Sequence, residues 1–428
     1  MPEVKRRAEA VYAPEERLDR RSFLSSTSSR RSFLATSGVA ASTLIAGCAE
    51  FVGGGDGDSA GQSNERDDTS GSDAVDDDTP TTLQGTIVVG EEMQVIEGTV
   101  EVADGRIERI TEEGVNSDEI IVPAFVNPHT HITDSVAKDS ERAQNYSWEE
   151  LFIEPDLKGE ILESASRKEK LESMSRTMEF MKTTGTGAFA DFKEEGVQGV
   201  EDLELLDDES DVDATTLLTG HYLDEDDDLE EEIEKADGYN SYYPYDETDE
   251  RAREICAELG KVFALHSGEP SAEDIDDSLA LNPDYTSHMV HARPKDYDVM
   301  ADNDIGLVSL PRSNLVIRDR LPPLEELHEA TTVAIGTDNV MLNSASMLRE
   351  MEFTSKLFDF TPTEVLQMAT INGAKLIKQA DDVGSIEEGK RARMTVIGTS
   401  KELKEVEDPV GGVVRRATAQ DVKRIVLE

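Results

Sequence analysis

Eight short apolar runs, each followed by a segment with helical periodicity, occupy the middle of the chain between about residues 120 and 380. They span residues 121–126, 187–191, 215–218, 238–241, 262–266, 287–290, 306–309 and 333–336. Strands that alternate with helices are typical of a parallel sheet covered by helices, and eight repeats favour an α/β fold of the (β/α)8 TIM barrel type. A doubly wound open sheet is the competing topology, because the fourth run is weak.

Both ends of the chain differ from this middle. Short alternating strands are predicted at 86–89, 99–102 and 106–110, separated by Gly and Asp turns. Further strands are predicted at 395–397, 412–415 and 422–427. We therefore expect a small β-sandwich domain assembled from residues 83–120 and 385–428, with the barrel between them over 121–384.

Residues 1–47 predict a targeting signal. Arg30 and Arg31 are followed by Phe33, Leu34 and a short apolar run that ends at Cys48. A paired arginine before such a run is typical of a twin-arginine export signal, and the run is too short to span a bilayer as a mature helix. The small residues directly before Cys48 resemble a bacterial-type lipobox, in which the cysteine becomes the lipid attachment point.

Residues 48–82 are rich in Gly, Ser and Asp and lack apolar periodicity, which predicts a flexible acidic tether. Together with the signal, this tether predicts a protein held on the outer face of the cell membrane through its lipid alone. A cytoplasmic enzyme, in which residues 1–47 are not a signal, is the alternative.

The chain carries 93 acidic and 42 basic side chains, a formal net charge of −51. Such a surface repels nucleic acid and anionic lipid headgroups, so neither is an expected partner. Because the acids run through the whole chain and 37 % of the residues are hydrophobic, we expect a folded protein kept soluble in concentrated salt, and hence a halophilic source. The only two cysteines, Cys48 and Cys256, give no disulfide framework.

Polar side chains gather where the predicted strands end, the edge at which barrel enzymes hold their catalytic groups. His129 and His131 follow the first run, and residues two apart in an extended segment face the same side. His266, His288 and Asp338 end the fifth, sixth and eighth runs. Four of the seven histidines therefore lie at predicted strand ends of one barrel, and their joint order predicts a metal site.

The order of these motifs is similar to that of the amidohydrolase superfamily. The motifs are Pro-His-Thr-His at 128–131, His-Ser-Gly-Glu at 266–269, His288, Pro-Arg-Ser-Asn at 311–314 and Gly-Thr-Asp at 336–338. The segments 368–375 and 384–390 resemble its cytosine deaminase and chlorohydrolase branch. The resemblance covers residues 83–428, and the chain looks most similar to archaeal members whose first motif reads His-Thr-His-x-x-Asp-Ser.

The resemblance implies a hydrolase of a non-peptide C–N bond, which deaminates a heterocycle or opens a cyclic amide or amidine. The implied ligands of its divalent metal are His129, His131, His266 and Asp338. Zn²⁺ suits these ligands, and Fe or Mn is also tolerated. In the implied mechanism Asp338 accepts the proton of a metal-activated water, Glu269 protonates the leaving nitrogen, and His288 hydrogen-bonds the substrate oxygen or tetrahedral centre.

Asn314 in the seventh loop and His221 after the third strand are expected to contact the small nitrogenous substrate. One metal is expected, because residues 237–241 of the fourth strand offer no lysine for a second ion. The candidate pocket residues of the remaining loops are Glu149, Glu150, Lys158 and 242–245. A catalytically idle, lipid-anchored binding protein for a nitrogenous solute is the alternative function, and a homodimer is compatible with these features.

Overall fold

The computed structural model describes residues 81–428, except for 141–146, 154–155, 208–209, 221–222, 224–227, 243–244, 319 and 400–401. The predicted signal, Cys48 and His221 lie outside the described residues. Among the helices that are described, none combines the length and the apolar character needed to cross a membrane.

Nine strand segments form one parallel sheet in the middle of the chain. They are β5 (Phe125–His131), β6 (Thr186–Lys193), β7 (Asp213–Thr219), β8 (Gly238–Ser241), β9 (Val262–Ser267), β10 (Tyr285–His288), β11 (Gly306–Ser309), β12 (Val333–Ile335) and β13 (Asp338–Asn339). From β5 to β12 the neighbours in space are also neighbours in the chain, and every pairing is parallel. This order confirms the predicted (β/α)8 barrel and excludes the doubly wound alternative.

The eighth barrel strand is interrupted. β12 pairs with β11, and after Gly336 and Thr337 the chain continues as β13, which pairs with β5 at the opposite edge of the sheet. Asn127 of β5 bridges this seam, since its Nδ2 donates to Thr337 Oγ1 at 2.8 Å and its Oδ1 accepts from the Thr337 backbone N–H at 3.1 Å. The first and the eighth strands thus close the ring.

Helices connect the strands. They are α1 (Trp148–Phe152), α2 (Leu157–Ser164), α3 (Arg167–Thr183), α4 (Gly196–Asp207), α5 (Leu229–Lys235), α6 (Glu247–Leu259), α7 (Ile275–Ala280), α8 (Pro294–Asn303), α9 (Pro311–Arg318), α10 (Leu324–Ala330), α11 (Met347–Leu357), α12 (Pro362–Met368), α13 (Ile371–Leu376) and α14 (Pro409–Arg416). In α3, Ser166 and Glu169 form a capping box, and Met174, Met178 and Met181 are buried along one face. Capping and an apolar stripe at this spacing are what make such a segment helical against the sheet.

A second sheet is built from both ends of the described chain. Its strands are β1 (Thr81–Val89), β2 (Gln94–Ala103), β3 (Arg106–Glu112), β4 (Glu119–Pro123), β14 (Arg393–Gly398) and β15 (Val422–Leu427), in the order β15-β14-β4-β1-β2-β3. All neighbours are antiparallel except β1 and β4, which are parallel. The prediction of a β domain drawn from both termini is confirmed, and the structure forms it as one six-stranded sheet.

The predicted strand at 412–415 is wrong, because these residues lie in α14. Pro409 opens this helix, and Val410, Val413 and Val414 are buried. The β-branched side chains favour a strand by propensity, but their i, i+3 and i+4 spacing gives the helix one continuous buried face. Tertiary burial therefore overrides the local preference.

The first apolar run is divided between the two sheets. Residues 121–123 lie in β4 of the second sheet, while 125–126 open the barrel strand β5. Ala124 lies between them, and its backbone N–H donates to the Arg393 carbonyl at 2.9 Å. A run buried on both sides carries no polar break that would reveal such a change of sheet.

Candidate metal centre

Five polar side chains meet at the carboxyl ends of the barrel strands. His129 and His131 lie at the end of β5, and β9, β10 and β13 contribute His266, His288 and Asp338. Each of the five residues is at most 4 % exposed. Because all strands of a parallel barrel point the same way, their carboxyl ends form one rim, and the topology brings these distant residues together.

Three candidate ligand atoms converge at this rim. His129 Nε2 lies 3.2 Å from His131 Nε2, and Asp338 Oδ1 lies 3.4 Å from His129 Nε2 and 3.5 Å from His131 Nε2. Two ligand atoms bonded at about 2.1 Å to a tetrahedral metal are about 3.4 Å apart. The three atoms therefore have the spacing of one face of such a coordination tetrahedron.

His266 completes the candidate ligand set. Its ligand atom and those of His129 and His131 all lie within 4.8 Å of one another, and the same holds for His129, His288 and Asp338. His266 Nδ1 is buried and has no hydrogen-bond partner among the described residues. A buried polar nitrogen without a partner is costly, and a metal ion supplies one, so these residues fit a divalent metal such as zinc.

The charges of the cluster also suit a metal. Burial lowers the pKa of His129 to about 3 and holds that of His266 well below its usual value, so both imidazoles are neutral. Burial alone would raise the pKa of Asp338, but the hydrogen bond with His129 holds that pKa well below its usual range. Burial and Lys158 would lower the pKa of His131, but Glu194 and Asp338 raise it. His129 and His266 therefore offer neutral imidazole lone pairs, and Asp338 offers one carboxylate charge.

The two histidines of β5 are oriented by side chains on the far edge of each ring. His129 Nδ1 lies 2.7 Å from Ser287 Oγ, and His131 Nδ1 lies 3.2 Å from Glu194 Oε1. A hydrogen bond at one ring nitrogen fixes the rotation of the imidazole and the nitrogen that remains for a metal. Both Nε2 atoms are thereby aimed at Asp338.

Two residues of the rim have a backbone that side chains rarely adopt. His288 has a φ of 73° and Asp338 a φ of 59°, both in the left-handed region. Such conformations cost energy in a residue with a side chain and concentrate at functional sites. Ser313 donates to Asp338 Oδ2, which leaves Oδ1 directed at the histidines.

Glu269 lies three residues beyond His266, after a turn at Gly268. The φ of Gly268 is 60°, and a Cβ there would lie 2.9 Å from Ile275 Cδ1, so the turn requires glycine. Glu269 is 6 % exposed, and its Oε1 lies 3.7 Å from Arg318 Nε. The turn thus brings a second carboxyl group to the buried rim.

His288 differs from the other histidines in its hydrogen bond. Asn314 Nδ2 lies 3.0 Å from His288 Nδ1. An amide nitrogen can only donate, so His288 Nδ1 accepts and Nε2 carries the proton. In this tautomer His288 Nε2 is a hydrogen-bond donor, whereas the Nε2 atoms of His129 and His131 face Asp338.

Residues 120–422 match the sequence model of the amidohydrolase family, over more than two thirds of the chain. The chain belongs to the amidohydrolase family. The predicted superfamily resemblance is thereby confirmed, and with it the prediction that the protein is an enzyme, a hydrolase of carbon–nitrogen bonds other than peptide bonds.

Relatives of this amidohydrolase are similar along most of their length. An uncharacterised protein of Methanocaldococcus jannaschii is 30 % identical over 369 residues, which cover 79 % of this chain and 96 % of that protein. A 5-methylthioadenosine/S-adenosylhomocysteine deaminase of Thermococcus sibiricus is 25 % identical over 409 residues, which cover 80 % of this chain and 91 % of the deaminase.

Solved structures share the fold of this amidohydrolase. An adenosine deaminase of Xanthomonas campestris with bound zinc superposes with a TM-score of 0.70 at 18 % identity, over 81 % of this chain and 91 % of that chain. An atrazine chlorohydrolase of Arthrobacter aurescens, complexed with zinc, gives 0.69 at 16 % identity, over 81 % and 93 %. Both neighbours were solved with zinc, the metal that the candidate ligand set of this chain fits.

The predicted site residues of the amidohydrolase are brought together where they are described. His129, His131, His266, Asp338, His288, Glu269 and Asn314 all lie at the rim, while His221 and Cys48 lie outside the described residues. Asn314 contacts His288, and its Oδ1 is buried without a hydrogen-bond partner in the described part of the chain. Its contact with a substrate therefore stays a prediction, as do the roles of the others.

The candidate pocket residues divide into two groups. Tyr242 lies over the metal-ligand side, with its hydroxyl 3.4 Å from His131 Nδ1, and Tyr245 donates to the carbonyl of His266. Lys158 is also buried there, against Glu194. Glu150 instead completes the capping box of α1 with Ser147, and Glu149 is exposed on the same helix.

Four residues of the site were not predicted from the sequence: Glu194, Ser287, Trp148 and Arg318. Glu194 directly follows β6, so the rule that found Asp338, a carboxylate after a barrel strand, could also have found it. Arg318 lies under Trp148, with Cζ 4.0 Å from the ring centroid, at the end of a helix. No sequence pattern indicates that pairing, because it forms only where the start of α1 meets the end of α9 in the folded barrel.

Proposed function

We propose that this amidohydrolase holds a single metal ion at His129, His131, His266 and Asp338. It hydrolyses a non-peptide C–N bond of a small nitrogenous molecule, by deamination of a heterocycle or by opening of a cyclic amide or amidine. The observation that carries the proposal is the 3.2–3.5 Å spacing of ligand atoms from His129, His131 and Asp338. A single metal site is favoured because the fourth barrel strand, β8 (Gly238–Ser241), contains no lysine that could hold a second ion.

A bound divalent metal lowers the pKa of a water molecule toward neutrality and polarises the group under attack. Asp338 accepts a proton from the attacking water molecule. Glu269 delivers a proton to the leaving nitrogen, which departs as ammonia in a deamination or stays in the product as an amine when a ring is opened. His288 Nε2–H donates to the oxygen on which negative charge develops, and Asn314 holds the ring in that tautomer.

Glu269→Gln tests this assignment of roles. The variant is expected to retain about one metal per chain, because Glu269 is not a ligand, and to lose turnover by about 10²- to 10⁴-fold, because an amide cannot carry the proton. Metal content and rate are measured on the same preparation. Glu273→Gln is the matched control, since Glu273 is exposed four residues further on and is expected to behave as wild type. Full turnover in Glu269→Gln, or full turnover after complete metal removal, would refute the mechanism.

The substrate is sought by an ammonia-release screen in concentrated salt. The panel contains purines, pyrimidines and small cyclic amides. It also contains 5-methylthioadenosine and S-adenosylhomocysteine, the compounds in the name of one relative. Ammonia release that depends on Glu269 supports deamination. A compound that binds tightly at the metal-loaded site and is never turned over would favour the binding protein instead.

We propose further that the enzyme is exported by the twin-arginine route and anchored through a lipid on Cys48. The paired Arg30 and Arg31, the apolar run and the small residues before Cys48 support this location. Mass spectrometry of the membrane fraction is expected to find a lipid-modified Cys48 as the first residue, and Cys48→Ser should release the protein from that fraction. An unprocessed N-terminus in a soluble fraction would support the cytoplasmic alternative.

We also propose that the protein requires concentrated salt. The formal charge of −51 is self-repulsive, and counterions screen that repulsion. The midpoint of thermal unfolding is therefore expected to rise steadily between about 0.1 M and about 3 M KCl, where the Debye length falls from about 10 Å to below about 3 Å. A midpoint that does not change with KCl would contradict the proposal.

A further inference from the structure

Arg318 is a largely buried cation, and its Nε–Nη2 edge makes no hydrogen bond with the described residues. Its side chain is 12 % exposed, and its Nε and Nη2 are buried without a hydrogen-bond partner among the described residues. These two nitrogens form one edge of the guanidinium, from which two N–H bonds point in nearly the same direction. Buried charged donors are normally paired, so an unpaired edge calls for a ligand.

The surroundings of Arg318 hold this edge beside the proposed catalytic site. Trp148 packs on the guanidinium, 4.0 Å from Cζ to the ring centroid, which fixes its plane and leaves its edges open. Glu269 Oε1 forms an ion pair with Nε at 3.7 Å, a distance too long for a hydrogen bond. The edge therefore lies beside the Glu269 carboxyl group, and its N–H bonds stay without a hydrogen bond to that group.

A second buried arginine of the same helix shows what a structural arginine looks like in this chain. The Arg312 side chain is paired with Glu350 through Nε, its backbone N–H donates to Glu350 Oε1 at 3.0 Å, and its Nη2 donates to the Ser344 carbonyl at 2.8 Å. The chain has 93 acidic side chains, and one of them is placed against Arg312. None of those described forms a hydrogen bond with the Nε–Nη2 edge of Arg318.

We propose that Arg318 binds a carboxylate group of the substrate. The substrate class is then a nitrogenous compound that bears a carboxylate in addition to the C–N bond that is broken. The two oxygens of a carboxylate match the Nε–Nη2 edge in a bidentate pair. A monoanion is also favoured over a phosphate dianion, because Glu269 lies on the same side of the edge. The inference rests on the proposed function, since it places the substrate at that site.

The test compares compounds that differ only in a carboxylate. The probes are cytosine with cytosine-5-carboxylate, adenosine with adenosine-5′-carboxylate, and benzoate with benzamide, titrated into the zinc-loaded full chain by calorimetry at one salt concentration. In at least one pair the carboxylate is expected to bind about 10- to 100-fold more tightly, the strength of a bidentate charge-assisted pair. Equal or weaker binding of the carboxylate in every pair would overturn the proposal.

Substitutions then assign the preference to Arg318. The preference ratio is the affinity for the carboxylate divided by the affinity for its uncharged partner. In Arg318→Met, whose side chain still packs on Trp148, this ratio is expected to fall to near unity. Arg320→Met is the charge-matched control, because Arg320 is exposed and contacts His291, and it is expected to keep the ratio within about twofold. A ratio unchanged in Arg318→Met, or lost equally in Arg320→Met, would overturn the assignment.

Arg318→Lys covers the case in which Arg318→Met does not fold. The lysine keeps the charge over Trp148 but lacks the fork, so the ratio is expected to fall several-fold while zinc content is retained. Binding is measured independently of turnover. If the protein shows a carboxylate preference that depends on Arg318 but no turnover, the proposed function is refuted and the role of Arg318 stands. If it shows turnover but no such preference, the role of Arg318 is refuted and the proposed function stands.

Discussion

Two groups of buried polar side chains lie next to each other at the rim of the barrel. The metal-ligand cluster consists of His129, His131, His266 and Asp338. The ion-pair cluster consists of Asp134, Lys158 and Glu194, in which Lys158 Nζ contacts Glu194 Oε1 and lies 3.2 Å from Asp134 Oδ1. The two clusters touch through the 3.2 Å contact between His131 and Glu194.

The clusters differ in how their charges are satisfied. Burial keeps His129 and His266 neutral. The ligand atom of His266 lies with those of His129 and His131, and that of Asp338 lies with those of His129 and His288. In the ion-pair cluster, burial would raise the pKa of Glu194, but Lys158 and His131 hold it below its usual range. The ion-pair cluster therefore pairs Lys158 with two carboxylates within the chain, whereas the proposed ligands converge on a position that a metal ion would fill.

Asp338→Asn should give the largest effect, because it removes the only charge among the proposed ligands. We expect the metal content to fall far below one per chain and turnover to drop by about 10³-fold or more, since metal catalysis supplies several kcal/mol. The fold should persist, which circular dichroism can check. Asp304→Asn, at an exposed helix end, is the control. A variant with full metal content and full activity would remove Asp338 from the ligand cluster.

Lys158→Met is the strongest test of the ion-pair cluster. It leaves two buried carboxylates without their cation, so the free energy of unfolding should fall by about 3–5 kcal/mol in urea titrations. Lys168→Met provides the comparison, because Lys168 is 83 % exposed in its pair with Glu172 and should change stability by less than about 1 kcal/mol. If both substitutions lower the free energy of unfolding equally, the buried ion pairs of Lys158 contribute no more to stability than the exposed pair of Lys168.

Glu194→Gln examines the contact between the clusters. The amide orients His131 less firmly, so metal affinity should fall by about 10- to 100-fold in a chelator competition. Glu195→Gln, the adjacent residue that pairs with Lys170, should leave the affinity unchanged. An unchanged affinity in Glu194→Gln would show that the two clusters are energetically separate.

Ser287→Ala should give the smallest effect. It removes the 2.7 Å hydrogen bond to His129 Nδ1 but no charge, so metal affinity should fall by at most about 10-fold. Ser309→Ala on the next strand is the matched control, because Ser309 is equally buried and its Oγ has no hydrogen-bond partner among the described residues. A loss of metal affinity as large as that of Glu194→Gln would contradict the expectation that a neutral hydrogen-bond partner of a ligand contributes less than a charged one.

Much of the barrel and of the ligand cluster could be predicted from the sequence. The alternating runs fix parallel strands, and parallel strands bring their carboxyl ends to one rim, so His266 and Asp338 could be placed together without coordinates. Histidines two apart at 129 and 131 needed only the geometry of an extended segment.

The ion-pair cluster could not be predicted in the same way. Lys158 comes from helix α2 and Glu194 from the end of β6, and the orientation of a helix over the rim depends on packing that no local pattern records. The same holds for Arg318 and Trp148, which bring the end of α9 to the start of α1. The division of residues 121–126 between two sheets could not be predicted either, because both halves of the run are equally apolar and no change of pattern marks the boundary.

The seam that Asn127 and Thr337 bridge has a consequence for how the chain assembles. The proposed ligands come from the first, fifth and eighth strands, so no partial barrel holds a complete set. Contacts between residues this far apart in sequence carry a large loop-closure cost and slow folding. Because an ion that needs all four ligands binds only the closed ring, metal loading would stabilise that ring and protect the seam against proteases that cleave the metal-free protein.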